Sequence, residues 1–183
     1  MTTDHARVLT VRLELVPATV EMLEADLESR ARLASILNAQ VPEDWPPGEY
    51  DAPAMRYFRD RLREDPDTAP WYGWYVLSRP AQERPRTLIG AGGFFGPPGA
   101  DGIIEIGYSV ARGFEGRGYA TEFVRALVDR AFATGEVRRI VARTTAENHA
   151  SIRVLERAGF QFAGPGQEPR SVHYERESPA RSA

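Results

Sequence analysis

The chain has 183 residues and a net charge of −3, with 42% hydrophobic and 27% charged residues. This composition is typical of a folded globular protein, and the acidic balance argues against a dedicated nucleic-acid binder. The absence of cysteine excludes disulfides, thiolate metal sites and cysteine nucleophiles. No run approaches the roughly twenty apolar residues of a membrane span, and the first twelve residues lack the apolar core of a signal peptide. We therefore expect a cytoplasmic protein without a nucleic-acid or membrane partner.

The first third of the chain predicts one strand followed by two helices. Residues 8–16 alternate between apolar and polar side chains, which indicates a strand with one buried face. Apolar residues at helical spacing over 20–37 predict one long helix. Residues 41–48 contain three prolines and a glycine, so an extended loop should follow. A second helix is expected over residues 52–63, with Tyr57 among its buried side chains.

The middle of the chain predicts an antiparallel meander of three strands. Residues 71–78 are rich in aromatic and β-branched side chains, which favour strands. Residues 87–95 follow after a polar turn, and residues 103–111 follow after a turn rich in proline and glycine. Turns this short join neighbouring strands in the antiparallel direction.

The last third predicts a crossover from strand to helix to strand. A regular apolar stripe indicates a helix over residues 118–134. Because a full helix precedes it, a strand at residues 139–145 should run parallel to the strand at residues 103–111. The remaining predicted elements are a helix that Asn148 caps and two short strands at residues 160–163 and 171–176.

Glycines cluster between the strand at residues 103–111 and the helix that follows it. Gly116 and Gly118 stand just before the helix start, where main-chain N–H groups are unpaired and the helix dipole is positive. Glycines there let an anion approach the backbone closely, so we interpret the turn as a phosphate cradle. A glycine-rich turn without a ligand is the alternative, since short glycine motifs are common.

Two sequence motifs flank the predicted crossover. The first is Glu105-Ile106-Gly107-Tyr108 followed by Gly116-Arg117-Gly118-Tyr119-Ala120-Thr121-Glu122. The second is Asn148-His149-Ala150-Ser151-Ile152-Arg153-Val154-Leu155-Glu156-Arg157-Ala158-Gly159-Phe160. Together they resemble the GNAT N-acetyltransferases, and more narrowly the ribosomal-protein-alanine N-acetyltransferase group (RimJ/RimL-like). The order of predicted elements is similar to the family's over nearly the whole chain.

The resemblance implies the GNAT fold, which belongs to the α/β class in its mixed α+β form. Its central sheet is mixed but mostly antiparallel, with a parallel splay between strands 4 and 5, and about four helices flank it. No repeat or linker divides the sequence. We therefore expect one acetyltransferase domain over residues 1–176 and a flexible tail over residues 177–183.

The resemblance also implies acetyl-CoA as cosubstrate and no metal. The family binds its pyrophosphate with the backbone of a Gln/Arg-x-x-Gly-x-Gly/Ala turn, and here Glu115 replaces the usual first residue. An acid beside a pyrophosphate is unfavourable, so Glu115 should face solvent while Arg112 and Arg117 offset its charge. The cofactor-binding residues implied at this turn are Arg112, Glu115, Gly116, Arg117, Gly118, Tyr119 and Ala120.

The same resemblance implies a binding surface for the pantetheine arm of the cosubstrate. Tyr108, Ser109 and Val110 would hydrogen-bond this arm as an added strand does. Asn148 matches a family asparagine that contacts the pantetheine, with helix capping as its alternative role. Ser151 lies three residues later on the same helical face and joins the predicted cofactor-binding residues.

Acetyl transfer needs a neutral amine and a protonated leaving thiol, so a base and an acid are sought near the splay. Glu105 is the candidate base, directly or through water, with an outward-facing surface glutamate as the alternative. Many relatives carry a tyrosine as acid where this sequence has Leu155. Ser151 is therefore the candidate acid, and Tyr108 is a second candidate whose alternative role is core packing.

Substrate choice is expected to lie between residues 37 and 72 and in the loop after Phe162. Trp45 and Tyr50 could line the mouth of a pocket, or they could pin the loop to the core. Neighbouring acidic residues make this region suitable for an amine. The predicted substrate contacts are Trp45, Tyr50 and Glu105.

The predicted function is transfer of the acetyl group of acetyl-CoA to a primary amine, by direct attack in a ternary complex. The acceptor would be a peptide or protein N-terminus or a small-molecule amine. Antibiotic or polyamine acetylation is an alternative, and a catalytically degenerate acyl-CoA-binding sensor or scaffold is another. The sensor remains an alternative because Glu115 and Leu155 both depart from the family pattern. The resemblance also suggests a homodimer.

Overall fold

The computed structural model describes residues 7–80 and 85–179. Its strands are β1 (Val8–Leu9), β2 (Leu13–Pro17), β3 (Gly73–Ser78), β4 (Leu88–Phe94), β5 (Ile103–Val110), β6 (Arg139–Thr145), β7 (Gln161–Pro165) and β8 (Ser171–Glu177). The α-helices in this part of the chain are α1 (Val20–Glu28), α2 (Arg30–Leu37), α3 (Ala52–Glu64), α4 (Tyr119–Ala133) and α5 (His149–Arg157). Short 3-10 helices cover Pro66–Trp71 and Arg112–Phe114.

The strands form one sheet in the order β1-β2-β3-β4-β5-β6-β8-β7. All neighbours pair antiparallel except β5 and β6, which α4 joins as a parallel crossover. The predicted fold class is confirmed, including the central meander and the parallel pair. This pair carries the numbers 5 and 6 because residues 8–16 form two strands, and five helices rather than about four surround the sheet.

The prediction of a single strand over residues 8–16 is wrong. β1 and β2 pair with each other, with Val8 opposite Leu15. Thr10 makes the turn, since its amide donates to Leu13 O at 2.9 Å and its hydroxyl accepts from Leu13 N at 3.0 Å. Val11 at the tip is 89% exposed. The alternating pattern continues unbroken through this turn, so the pattern does not reveal it.

The prediction of one helix over residues 20–37 is also wrong, because the chain breaks at Ser29. Ser29 has extended backbone angles, its amide donates to Ala25 O, and its hydroxyl accepts from Arg32 N at 3.4 Å. A serine that bonds neighbouring main-chain groups competes with the helical ladder and divides the helix. The helix predicted at residues 52–63 is present, although Tyr57 is 44% exposed rather than buried.

Two apolar clusters form the core, one on each face of the sheet. α4 and α5 pack on one face together with Ile104 and Ile106, and α1, α2 and α3 pack on the other. Successive side chains of a strand point to opposite faces. Tyr108 therefore shares the α4 and α5 face, as its contacts show, whereas Glu105 and Ser109 belong to the opposite face.

The expected domain limits lie partly outside the described residues. Glu177, which the prediction places in the tail, is the last residue of β8. Residues 180–183 of that tail, like residues 1–6 of the expected domain, are not described, and the single domain stays a prediction. No helix in the described part of the chain is long and apolar enough to cross a membrane.

Candidate active site

The parallel strands β5 and β6 pair along only half of their length. Their register runs from Ile103 opposite Arg139 to Ile106 opposite Ala142. Beyond that point, residues 107–110 continue alongside β4, while residues 143–145 continue alongside β8. The sheet therefore opens between the two strands, which is the geometry that the predicted splay requires.

Main-chain groups of β5 face this opening at alternate residues. Glu105 O accepts from Phe95 N at 3.2 Å, so the odd-numbered residues of β5 turn their N–H and C=O groups toward β4. The main-chain N–H and C=O groups of Tyr108 and Val110 consequently point into the opening. Ser109, the third residue predicted to bind pantetheine, pairs its main chain with β4. Its side chain lies on the face of the sheet that carries Glu105.

The glycine turn joins the end of β5 to α4. Gly116 and Gly118 both adopt left-handed angles, with φ of 70° and 79°, which other residues rarely adopt. The first main-chain bond of α4 runs from Glu122 N to Gly118 O, so the amides of residues 119–121 precede the helical ladder. A Cβ at Gly116 would meet no atom within 4 Å, which leaves space for a ligand beside the backbone. Glu115 is exposed, as expected.

A clamp from the β1–β2 hairpin holds this turn. Glu122 accepts hydrogen bonds from the Thr10 hydroxyl at 2.5 Å, from Arg12 N at 2.9 Å and from Arg12 Nε at 2.7 Å. Arg12 Nη1 donates to Arg117 O at 2.9 Å, and its guanidinium lies 4.4 Å from the centroid of the Tyr119 ring. Burial acts to raise the pKa of Glu122, but these hydrogen bonds outweigh it and hold the pKa below its usual value. The strand pattern gives no sign of this contact.

Two hydroxyl groups meet on the α4 and α5 face of the opening. The Tyr108 hydroxyl lies 3.0 Å from Ser151 Oγ and donates to Ser151 O at 3.2 Å. Burial raises the pKa of Tyr108 to about 12, although the hydrogen bond with Ser151 opposes this rise. Tyr108 therefore keeps its proton near neutral pH. The structure thus brings the two candidate acids into contact, while Leu155 is fully buried in the core.

Asn148 caps α5 as expected. Its side-chain oxygen accepts from Ser151 N at 3.0 Å, and its side chain is exposed. The cap occupies the oxygen, so the NH₂ group is the part of Asn148 that could contact a cosubstrate.

Glu105 lies on the opposite face, next to the point where β5 and β6 separate. Its carboxylate forms an ion pair with Arg143, and the Glu105 side chain is 29% exposed. The carboxylate therefore has a charged partner that the sequence pattern does not reveal, because Arg143 is 38 residues away in β6. The opening lies between Glu105 on one face and the Tyr108–Ser151 pair on the other.

Trp45 and Tyr50 are buried, with exposed fractions of 7% and 6%. Trp45 Nε1 donates to Asp26 at 2.8 Å, Tyr75 OH donates to Asp26 at 2.9 Å, and Tyr50 OH donates to Tyr75 OH at 3.1 Å. These bonds attach the loop to α1 and β3. The placement agrees with the alternative in which both rings pin the loop to the core, and their role as substrate contacts stays a prediction.

Gly48 in this loop lies close to the Ser109 side chain of β5. A Cβ at Gly48 would lie 2.9 Å from Ser109 Oγ, and its φ of 54° is left-handed. The cluster around Asp26 therefore fixes a loop that touches β5 on the Glu105 face. Sequence reasoning missed this contact because a glycine in a proline-rich loop signals only a turn.

Replacing Asp26 with asparagine is expected to change how stability depends on pH. Burial raises the pKa of Asp26 above the unfolded value of 3.8, although bonds from Trp45, Tyr75 and Tyr50 oppose the rise. Because the folded state binds this proton more tightly, stability is lost as the pH rises from 3.8 through the raised pKa. The unfolding free energy of the wild type should therefore fall relative to that of Asp26→Asn over this interval.

Urea unfolding of both proteins between about pH 4 and pH 7 measures this difference. Asp44→Asn changes an exposed carboxylate of the same loop and serves as the control, with a profile parallel to that of the wild type. Parallel profiles for Asp26→Asn and the wild type would contradict the prediction.

Comparison with known proteins assigns the family. The acetyltransferase (GNAT) domain matches residues 12–161 of this chain. The match spans the opening, the glycine turn and α5, together with Arg12 and Glu122 of the clamp. The chain therefore belongs to the GNAT acetyltransferase family, as its sequence resemblance suggested, and it is an N-acetyltransferase by family.

Individual relatives agree with this assignment. The N-acetyltransferase YjdG of Bacillus subtilis (strain 168) is 28% identical over 151 residues, which cover 82% of this chain and 87% of that protein. The crystal structure of a GNAT-family acetyltransferase from Bacillus anthracis superposes with a TM-score of 0.63 and 19% identity, covering 94% and 99% of the two chains. The structure of RimL, a ribosomal L7/L12 alpha-N-protein acetyltransferase solved with coenzyme A, superposes with a TM-score of 0.63 and 22% identity. The superposition covers 94% of this chain and 98% of that chain. At these identities the superpositions show a shared fold.

Proposed function

We propose that the protein transfers the acetyl group of acetyl-CoA to a primary amine, by direct attack within a ternary complex. The observation that carries this proposal is the opening between β5 and β6. The glycine turn lies at the end of β5, the Tyr108–Ser151 hydroxyls lie on one face of the opening, and Glu105 lies on the other. The acceptor is the N-terminal amine of a peptide or protein, or a small-molecule amine.

The chain offers suitable groups for each part of acetyl-CoA. The amides of residues 116–121 and the α4 dipole suit the pyrophosphate, and the exposed Arg112 and Arg117 add positive charge. The free main-chain groups of Tyr108 and Val110 suit the amides of the pantetheine arm, with Asn148 and Ser151 on the neighbouring helix. When bound, acetyl-CoA supplies an acetyl group that its thioester activates. The absence of steric hindrance beside Gly116 supports the fit.

The two faces of the opening carry the proton transfers. Glu105 accepts the proton of the attacking amine, directly or through water, with Arg143 as its partner in the resting protein. The leaving sulfur takes a proton that the Ser151 hydroxyl passes to it from solvent water, so the serine hydroxyl is regenerated, and Tyr108 holds that hydroxyl in place. Positioning of the amine beside the thioester supplies a large part of the acceleration. Trp45 and Tyr50 act indirectly in this proposal, because both rings are buried.

Replacing Glu105 with glutamine should lower kcat/KM for the amine by at least about tenfold, because the variant loses its base. The loss should shrink as the pH rises toward the pKa of the acceptor amine, where unprotonated amine becomes abundant. Steady-state thiol release between pH 7 and pH 9.5 measures it. Glu175→Gln is the control, since Glu175 shares this face and lies across Val141 from Glu105. An equal loss in both variants would contradict the role of Glu105.

Two measurements separate the enzyme from the acyl-CoA-binding sensor. Thermal melting with and without acetyl-CoA tests binding, and thiol release over a panel of amines tests turnover. Stabilisation together with turnover supports the proposal, whereas stabilisation without turnover on any amine favours the sensor. No stabilisation would contradict both. Homodimer formation and a cytoplasmic location stay predictions.

A further inference from the structure

An aromatic shelf, formed by Phe95 and Tyr57, borders the Glu105 face of the opening. Phe95 follows β4, and its amide donates to Glu105 O at 3.2 Å. Its ring lies over Gly107, where an added Cβ would come within 3.1 Å of it. Tyr57 reaches over from α3 and donates its hydroxyl to Phe95 O at 2.9 Å. The shelf is thus built from three elements that meet beside the candidate base.

The shelf is exposed although it is firmly held. Phe95 is 48% exposed and Tyr57 is 44% exposed. The ring of Phe95 packs against buried Phe58, with centroids 6.3 Å apart, and Tyr57 packs against Phe58 at 5.6 Å. Two adjacent aromatic rings that stay in contact with water while their positions are fixed offer a preformed surface against which an apolar group can pack. Gly107 allows this close approach, because a Cβ at that position would require the Phe95 ring to shift by a few tenths of an ångström.

The position of the shelf relates it to the acceptor. Phe94 pairs with Ile106, so Phe95 neighbours Glu105 on the same face of the sheet. Side chains of such neighbours lie about 5 Å apart at their Cβ atoms. An amine held at Glu105 would therefore place its adjacent substituent on the rings. Arg143 on the other side of Glu105 is 55% exposed and would repel a second positive charge on the acceptor.

We propose that Phe95 and Tyr57 select acceptors that carry a large apolar group next to the primary amine, such as peptides with an apolar first residue. This inference rests on the proposed function and adds the substrate class. Burial of a leucine-sized side chain against the rings favours such acceptors over glycine, and Arg143 disfavours polyamines and lysine-like acceptors.

Thiol-release kinetics with glycinamide, leucinamide and lysinamide test the selection. The wild type should show kcat/KM about tenfold higher for leucinamide than for glycinamide, a ratio typical of a few methylene groups in an apolar site. Lysinamide should be the poorest of the three. Phe95→Ala should reduce the leucinamide preference to less than about twofold, while KM for acetyl-CoA stays unchanged.

Phe162→Ala is the matched control, because Phe162 is an aromatic residue of β7 with an exposed fraction of 61%. It should keep the full leucinamide preference. Tyr57→Ala provides a second test that removes the other half of the shelf, and melting with acetyl-CoA verifies that each variant is folded. A wild type without apolar preference, or a Phe95→Ala variant that loses activity equally on all amines, would overturn the selection. Absence of turnover on every amine would instead overturn the proposed function.

Discussion

Replacing Ser151 with alanine is expected to lower kcat by about 10²-fold, because loss of a general acid typically costs 10²–10⁴-fold. Ser151 has its hydroxyl 3.0 Å from that of Tyr108 and its amide capped by Asn148, so its position is fixed from two sides. KM for acetyl-CoA should change less than kcat, since the variant keeps the main-chain groups of β5 and the side chain of Asn148 that are proposed to hold the pantetheine arm. Single-turnover thiol release measures the chemical step directly.

Tyr108→Phe distinguishes a direct role of Tyr108 from a role through Ser151. If Tyr108 only positions the Ser151 hydroxyl, the single variant should lose about tenfold in kcat, and the double variant should be no slower than Ser151→Ala alone. Additive losses would mean that Tyr108 donates the proton independently. Because phenylalanine keeps the ring that packs against the core, the melting temperature should fall only slightly.

Replacing Gly116 with valine is expected to raise the Kd of coenzyme A by about 10²-fold. Gly116 has φ of 70°, which a β-branched residue avoids, and its amide must rotate to relieve the strain. Loss of a main-chain bond to a charged phosphate costs about 1.5–3 kcal/mol, and every 1.4 kcal/mol is a factor of ten. Isothermal titration with coenzyme A measures the change.

Gly113→Val is the matched control for this experiment. Gly113 also has nothing within 4 Å of an added Cβ, but its φ lies outside the left-handed region. The control should bind coenzyme A within about threefold of the wild type. Equal weakening in both variants would show that bulk anywhere near the turn blocks the ligand, and that the left-handed angle of Gly116 is not the cause.

Local patterns in the sequence predict most of the fold. The apolar stripe of α4, the turn residues of the meander and the length of the crossover each depend on neighbouring residues, and the structure agrees with them. Capping by Asn148 is equally local. The failures at Thr10 and Ser29 are also local, but there the side chains bond the main chain without disturbing the apolar pattern.

Contacts distant in sequence are the part of the site that patterns did not reveal. Asp26 meets Trp45 and Tyr75 across 19 and 49 residues, and Tyr50 bonds Tyr75, so Trp45 and Tyr50 are buried anchors of their loop. Arg143 reaches Glu105 from another strand, and Phe95 covers Gly107 because β4 and β5 pair in one register. The register of the paired strands decides which of these side chains become neighbours, and this register cannot be read from a single sequence.

The clamp between Arg12 and Glu122 has a thermodynamic consequence. The same guanidinium bonds the first turn of α4 and the carbonyl of Arg117, so docking of the hairpin and the shape of the glycine turn form one equilibrium. Coupling between two such events is reciprocal. A ligand that favours the ordered turn therefore also favours the docked hairpin. A substitution at Thr10 or Arg12 should accordingly lower the binding affinity for that ligand, although neither side chain contacts it. We therefore expect the β1–β2 hairpin to contribute to the binding affinity for the cosubstrate.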